Sequence, residues 1–418
     1  MARVGQFRSR IRLMTAAAVI AVGAVLAGTV IAAAAPPSLP GRTAAQLLAE
    51  MQAARLPRAM TATVSETANL GFPALPDLPG LSSSATSATS LITGTHTVQI
   101  WYAGPRHVRI AVPVSFGETD LRIDGSRVWL WRSHGQTATR YVLPARPAAG
   151  HQGLPMPSGR PAGPAQAGSG PLAGLTPIQA ARRVLALAGQ TTKIWVDGTT
   201  TVAGRPAYLL AIAPRASQSL IGRILIAVDA QTHLPLQLQV YARGQSGVAF
   251  QIGFTALSLT RPAAANFTFT PPAGAHVRTV TLGGKAEGRL PAGRPALRSR
   301  RPARALIAGT QVLGKGWLSV AAIPASQALA VLSGSGGSGS AAPQTGLPIV
   351  AAPAGKAAGQ VSALAQALLK SATKVSGPWG SGRLLRTSLF SVLLTSKGEV
   401  LIGAVTPAVL LADAALVR

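Results

Sequence analysis

Apolar and polar residues alternate in ten short stretches between Thr61 and Thr270. Leu234, Leu236, Leu238 and Val240 fall on one side of such a stretch, and Gln237, Gln239 and Tyr241 on the other. Val248, Phe250, Ile252 and Phe254 repeat the pattern against Gln251 and Thr255, and Ile224, Ile226 and Val228 against Arg223 and Asp229. Earlier in the chain Val108, Ile110, Val112 and Val114 oppose His107, Arg109 and Ser115. Side chains on a strand alternate with period two, so each stretch reads as a half-buried strand. Alternation this regular predicts antiparallel pairing with one solvated face.

The elements follow in order. Thr43 to Leu56 predicts an amphipathic helix with Leu47, Leu48, Met51 and Leu56 on its apolar side, Thr43 as cap and Pro57 as stop. Strands are expected near 61–70, 93–103, 107–116, 119–124, 127–133 and 138–143, with a Pro/Ser/Thr-rich insertion at 72–90. A low-complexity loop at 144–175 leads to a second helix that opens at Thr176-Pro177, closes at Gly189 and buries Ile178, Ala181, Leu185 and Ala188. Further strands are expected near 191–203, 206–214, 221–229, 234–242, 248–259 and 266–270. Residues 281–305 form a basic linker, with seven Lys or Arg between Lys285 and Arg304. A small α+β module then occupies 306–418, with strands near 310–322, 383–395 and 399–405 and a Ser/Gly run at 333–340. A helix is expected near 359–375, a hairpin turn at Lys397-Gly398, and a final helix opening at Thr406-Pro407.

Ten strands at ~4.8 Å spacing make a sheet about 48 Å wide. Two helices, each about 10 Å across, cover less than half of it. Three outcomes are open: a sheet curled into a half-open barrel around an apolar hollow, a filled two-sheet sandwich, or a face covered by a partner.

Composition narrows the chemistry. With no Cys there are no disulfides, no thiolate metal sites and no lipid-bearing cysteine. Arg far outnumbers Lys, and Ala, Gly and Pro abound, a bias typical of a GC-rich actinobacterium. The net charge is +28, but it is scattered along the chain. Arg3, Arg8, Arg10 and Arg12 precede an uncharged run from Leu13 to Ala35. That run predicts either a signal peptide or a retained transmembrane anchor within residues 1–35, with the rest of the chain outside the cytoplasm. A basic exported protein is expected to meet a membrane or anionic envelope polymers, and not nucleic acid.

Phe267-Thr268-Phe269-Thr270-Pro271-Pro272 with the following Ala273 to Val277, Asp124-Gly125-Ser126-Arg127-Val128-Trp129, and Asp229 to Leu236 resemble segments of the bacterial LolA lipoprotein-carrier family. The resemblance covers about residues 42–279. It implies a mainly β (α+β) fold, a half-open antiparallel β-barrel with a helical lid, here at 36–280; the small C-terminal α+β module lies beyond it, whereas the carriers are usually single-domain. It also implies a hollow that holds the acyl chains of lipids or lipoproteins. On the period-two assignment its walls are Val108, Ile110, Val112, Leu121, Ile123, Tyr208, Leu210, Ile224, Ile226, Leu236, Leu238, Phe250 and Ile252, with Leu47, Leu48 and Met51 on the lid. The related RseB/MucB regulators share the fold and carry a second domain, which implies an anti-sigma factor as the alternative partner. The carriers have an Arg before the Pro of an early strand; here Gly104 precedes Pro105, so that contact is not carried over.

No cofactor, metal or enzymatic activity is expected. Gly334 to Gly339 fits a dinucleotide pattern only inside a Ser/Gly run, and no Gly-x-Ser-x-Gly elbow occurs. The six His are isolated. Asp124 beside Gly125 reads as a turn cap, not as an acid–base partner of Asp120. Trp129 and Trp131 share one strand face, as core or as lipid-facing aromatics.

Overall fold

The computed structural model describes residues 36–72, 93–114, 117–142, 176, 178–179, 191–281, 310–328 and 368–417. The expected signal or anchor at 1–35, the loop at 144–175, nearly all of the second helix, the basic linker and the Ser/Gly run lie outside them. The chain divides into two compact units, Met1–Ser38 and Leu39–Arg418, and every described helix and strand belongs to the second. Among the described residues no helix is long and apolar enough to cross a membrane.

Helix α1, Ala44–Ala53, opens with a reciprocal cap: Gln46 N donates to Thr43 Oγ1 (3.2 Å) and Thr43 N donates to Gln46 Oε1 (2.8 Å). It ends three residues before the expected Leu56, which is 48% exposed. The same device recurs at Thr176, whose N–H donates to Gln179 Oε1 (2.9 Å).

Among the described residues twelve strands form one sheet: β1 Met60–Asn69, β2 Thr93–Tyr102, β3 His107–Val114, β4 Gly117–Asp124, β5 Arg127–Arg132, β6 Thr137–Val142, β7 Thr192–Val202, β8 Arg205–Pro214, β9 Ile221–Asp229, β10 Pro235–Ala242, β11 Val248–Ser258 and β12 His276–Thr281. Their order is β12-β6-β5-β4-β3-β2-β1-β11-β10-β9-β8-β7. The two end strands do not pair, so the sheet stays open. Within β1–β6 and within β7–β11 neighbours along the chain pair antiparallel; β1 pairs with β11 and joins the two halves. The turns carry the strain that hairpins require: Ala203 and Gly204 sit at φ 50° and 76° between β7 and β8.

Two expectations are corrected here. Residues 266–270 are not a strand. Ala264–Asn266 is a turn of 3-10 helix, and the chain from Phe267 runs without ladder bonds until β12. The twelfth strand is thus residues 276–281, and it pairs parallel with β6 in a sheet expected to be wholly antiparallel.

The second sheet contains β13 Gln311–Leu313, β14 Val320–Pro324, β15 Thr373–Gly377, β16 Gly380–Arg386, β17 Ser391–Thr395 and β18 Glu399–Gly403, in the order β13-β14-β18-β17-β16-β15. Helix α2, Pro407–Ala414, packs on one face and buries Leu410 and Ala414 against Leu384, Leu393 and Leu401. The long strands expected at 310–322 and 383–395 are each a pair of strands. A 3-10 turn at Gly316–Leu318 breaks the first, and a turn closed by Thr387 N to Phe390 O (3.0 Å) breaks the second. Of the expected helix at 359–375, residues 359–367 lie outside the described residues; residues 368–371 are helical, and the chain has become strand β15 by Thr373.

The sheets share a seam. Leu220 N donates to Ala404 O (2.9 Å), Thr406 N to Gln218 O (2.9 Å), and Ser388 N to Leu70 O (2.8 Å). Trp317, 9% exposed, enters the core of the large sheet and donates from Nε1 to Thr192 Oγ1 (2.7 Å). Leu389 and Phe390 pack against the same core, and Phe390 meets Phe72 edge-on at 5.9 Å.

Candidate functional site

Register assigns each side chain to a face. Val108, Ile110 and Val112 lie opposite Ile123, Leu121 and Thr119. Ile110 lies opposite Ile100 on β2. Beyond β1, Val64 faces Phe254, Ala68 faces Phe250, Leu238 faces Ile252 and Ile226, and Leu210 faces Ile226. Tyr208 faces Val228, and Ile212 faces Ile224. Residues directly opposite point to the same side, so these wall positions share one face, here called inward. Leu236 stands at a register shift in β10 and is fully buried in the same core.

Packing divides that face in two. Over β1 and β7–β11, Tyr208, Leu210, Ile224, Ile226, Leu236, Leu238, Phe250 and Ile252 form one closed core with Leu47 and Met51 of α1. Leu48 is partly covered at its edge. Over β3–β6 a separate small cluster centres on the opposed pair Leu121 and Leu130, with Ile110, Val112, Val128 and Tyr141 only half-buried beside it. Val108 is buried, and Ile123 half-buried, outside both clusters. The face is largely apolar, with Thr119 and Thr139 buried over β4–β6 and a carboxylate near its middle. There Glu66, 7% exposed, stands opposite His96 on β2 and Ile252 on β11. Its alternation with Ala62, Val64 and Ala68 puts Glu66 on the inward side, although a carboxylate in a strand normally signals the wet face.

The outward face of β2–β5 carries a second cluster that the sequence did not announce. Asp120 is fully buried and accepts from Arg109 Nε (3.1 Å) and Arg122 Nε (2.8 Å). Arg109 stacks over Trp101 at 4.4 Å, and Arg122 over Phe269 at 5.3 Å. Arg122 Nη1 also donates to Thr268 O (2.6 Å). Trp129 and Trp131 lie on this face, 5.6 and 5.9 Å from the Phe269 ring, and Phe267 packs against His107 at 5.6 Å. The Phe-Thr-Phe segment is therefore a strap across the back of the sheet. Asp124 pairs with His107 Nδ1 at 3.2 Å.

A third buried carboxylate fixes the β9–β10 turn. Asp229, 1% exposed, accepts from Arg205 Nε (3.0 Å), Arg205 Nη2 (2.8 Å) and Thr232 N (2.9 Å), and its carboxylate also takes the Thr232 hydroxyl. Burial pushes its pKa up, but the bonds from Arg205 and Thr232 together with the Arg205 charge outweigh that and hold it below the usual carboxylate value. A carboxyl depressed in the folded state adds stability above its unfolded pKa of about 3.9 and loses it as pH falls through the folded value. Asp229→Asn is thus expected to lower the urea midpoint at pH 7, with the gap to the parent narrowing once pH drops below that range. A gap that stays constant down to ~pH 2 would remove the linkage.

Among the described residues no three His, Asp or Glu converge as a metal site.

No protein-family model and no curated protein matches the sequence. Solved structures resemble it in architecture. MucB aligns at 17% identity and TM-score 0.31 over 90% of this chain and 96% of its own. The Pseudomonas aeruginosa MucA/MucB complex aligns at 15% and 0.34 over 89% and 96%. A LolA superfamily protein from Nitrosomonas europaea aligns at 11% and 0.19 over 55% of this chain and 99% of its own. The chain is similar in fold to MucB and LolA-superfamily structures, and the LolA-superfamily protein covers only about half of it.

Proposed function

We propose that the protein is an extracytoplasmic, membrane-associated binder of acyl chains, taken from lipids or lipoproteins, and that the chains lie on the inward face over β3–β6. The observation that carries this reading is the contrast along one largely apolar face. Over β7–β11 the face is sealed by α1 and Trp317. Over β3–β6 the side chains of Ile110, Val112, Ile123 and Val128 are only partly covered. Apolar area left accessible beside a closed core is where a hydrocarbon gains most by leaving water, at ~25 cal/mol per Å².

The test separates binding from folding. Ile110→Glu puts a charge on the half-covered region and is expected to weaken binding of a fluorescent fatty acid at least ~10-fold with a small change in unfolding midpoint. Phe250→Glu puts the same charge in the sealed core and is expected to unfold the chain or cost several kcal/mol. Gln251, on the outward face, accepts a bond from Gln239 Nε2 (2.7 Å) that a glutamate would also accept, so Gln251→Glu should change neither. Unchanged affinity in a folded Ile110→Glu protein would sink the proposal. Native mass spectrometry of the purified chain should also show co-purifying lipid.

A second reading, an envelope sensor acting on an anti-sigma factor, is favoured by one feature: Trp317 ties the second sheet directly to the core beneath the lid. A sensor would change its affinity for a protein partner when acyl ligand is added; a carrier would not.

A further inference from the structure

On the face of the second sheet away from α2, strands β15–β17 form a concavity of about 560 Å³. Lys374 and Arg383 stand directly opposite each other in the β15–β16 ladder, and the next pair on that face is Ser376 and Ser381. Ser396 joins the rim, where its N–H donates to Ser381 O (2.8 Å). Among the described residues the lining holds two cations and several hydroxyls, and no carboxylate. Arg383 is positioned by a bond from Nη1 to Leu369 O (2.7 Å), which uses one of its five donors. Two like charges directly opposite on an antiparallel pair repel each other and destabilise the ladder. Lys374 is exposed, so solvent screens part of that repulsion, and an anion held between the two cations would remove the rest.

We infer that this concavity binds a phosphate-bearing anion. Inorganic phosphate or a phosphomonoester carries close to two negative charges and at least three acceptor oxygens, enough to take both cations and the hydroxyls of Ser376 and Ser381 at once; a phosphodiester headgroup carries one charge and two free oxygens, enough to bridge the two cations. The phosphate can come from a lipid headgroup or from solution. This inference stands apart from the acyl-binding reading, because none of its residues lies on the large sheet.

The experiment uses the full chain at fixed ionic strength. Inorganic phosphate is titrated by calorimetry, and vesicles of phosphatidylcholine with or without phosphatidylglycerol are tested by co-sedimentation. Lys374→Gln removes an exposed charge and Ser381→Ala a neutral donor; Lys397→Gln, on the β17–β18 turn outside the lining, is the charge-matched control. Lys374→Gln should weaken binding about 10-fold and Ser381→Ala a few-fold, with Lys397→Gln unchanged. Phosphate should raise the melting temperature of the parent more than that of Lys374→Gln. A selective loss with inorganic phosphate assigns the site to a free anion; one seen only with phosphatidylglycerol vesicles assigns it to a headgroup. The idea fails if neither probe binds, or if the two lysine variants bind equally well, the mark of diffuse attraction to a chain of net charge +28.

Discussion

Replacing Trp317 by Ala is expected to cost about 3–5 kcal/mol in urea unfolding, although Trp317 belongs to the small second sheet. The indole is 9% exposed, packs within the core of the large sheet and donates to the buried Thr192 hydroxyl at 2.7 Å. Alanine would leave a cavity and an unpaired hydroxyl together. Trp317→Phe keeps most of the volume and loses only the bond, so about 1 kcal/mol is expected. The same geometry bears on truncation. Read from sequence, a chain ending near Val280 should fold by itself and keep its hollow. In the structure that cut removes Trp317, Leu389 and Phe390 from the main core, and Ser388 and Ala404 from their bonds to Leu70 and Leu220. The expected result is a destabilised fragment that binds a hydrophobic dye. A truncated chain as stable as the parent would mean the seam contributes nothing.

Asp120→Asn is expected to cost about 3–5 kcal/mol, because it leaves the largely buried Arg122 facing a neutral amide and Arg109 with only its longer contact to Glu118 at 3.6 Å. Arg109 and Arg122 have side chains only 17% and 18% exposed, and Asp120 is the carboxylate that lies against both. The loss should be local at first. Arg122 holds Thr268 O and stacks on Phe269, so the strap should loosen and the fluorescence of Trp129 and Trp131 should shift before global unfolding. Asp124→Asn, which disrupts a pair with His107 whose side chains are 28% and 40% exposed, should cost below ~1 kcal/mol. Equal costs for the two substitutions would show that burial of the Asp120 cluster does not matter.

The three segments that carry the LolA resemblance do structural work. Asp229 ties a turn, Asp124-Gly125 closes a hairpin, and Phe267 to Phe269 strap the back of the sheet. Their resemblance therefore speaks for fold, and the ligand has to be argued from the inward face itself.

Strand positions and their two faces were legible in the sequence because period-two alternation is a local property. Val108 to Val114, Leu234 to Val240 and Val248 to Phe254 show it within single strands. Caps at Thr43 and Thr176 were legible for the same reason, since the cap residue and its partner lie three positions apart. The Phe267–Thr270 run reads as a strand because it alternates perfectly; only contact with Trp129, Trp131 and Arg122, remote in the chain, makes it a strap. The Asp120 cluster and the insertion of Trp317 into the other sheet's core both depend on partners distant in sequence. So does the division of one apolar face into a sealed half and a half-covered one. Alternation says which side of a strand is apolar. What comes to cover that side is decided by long-range packing, and only the tertiary structure contains it.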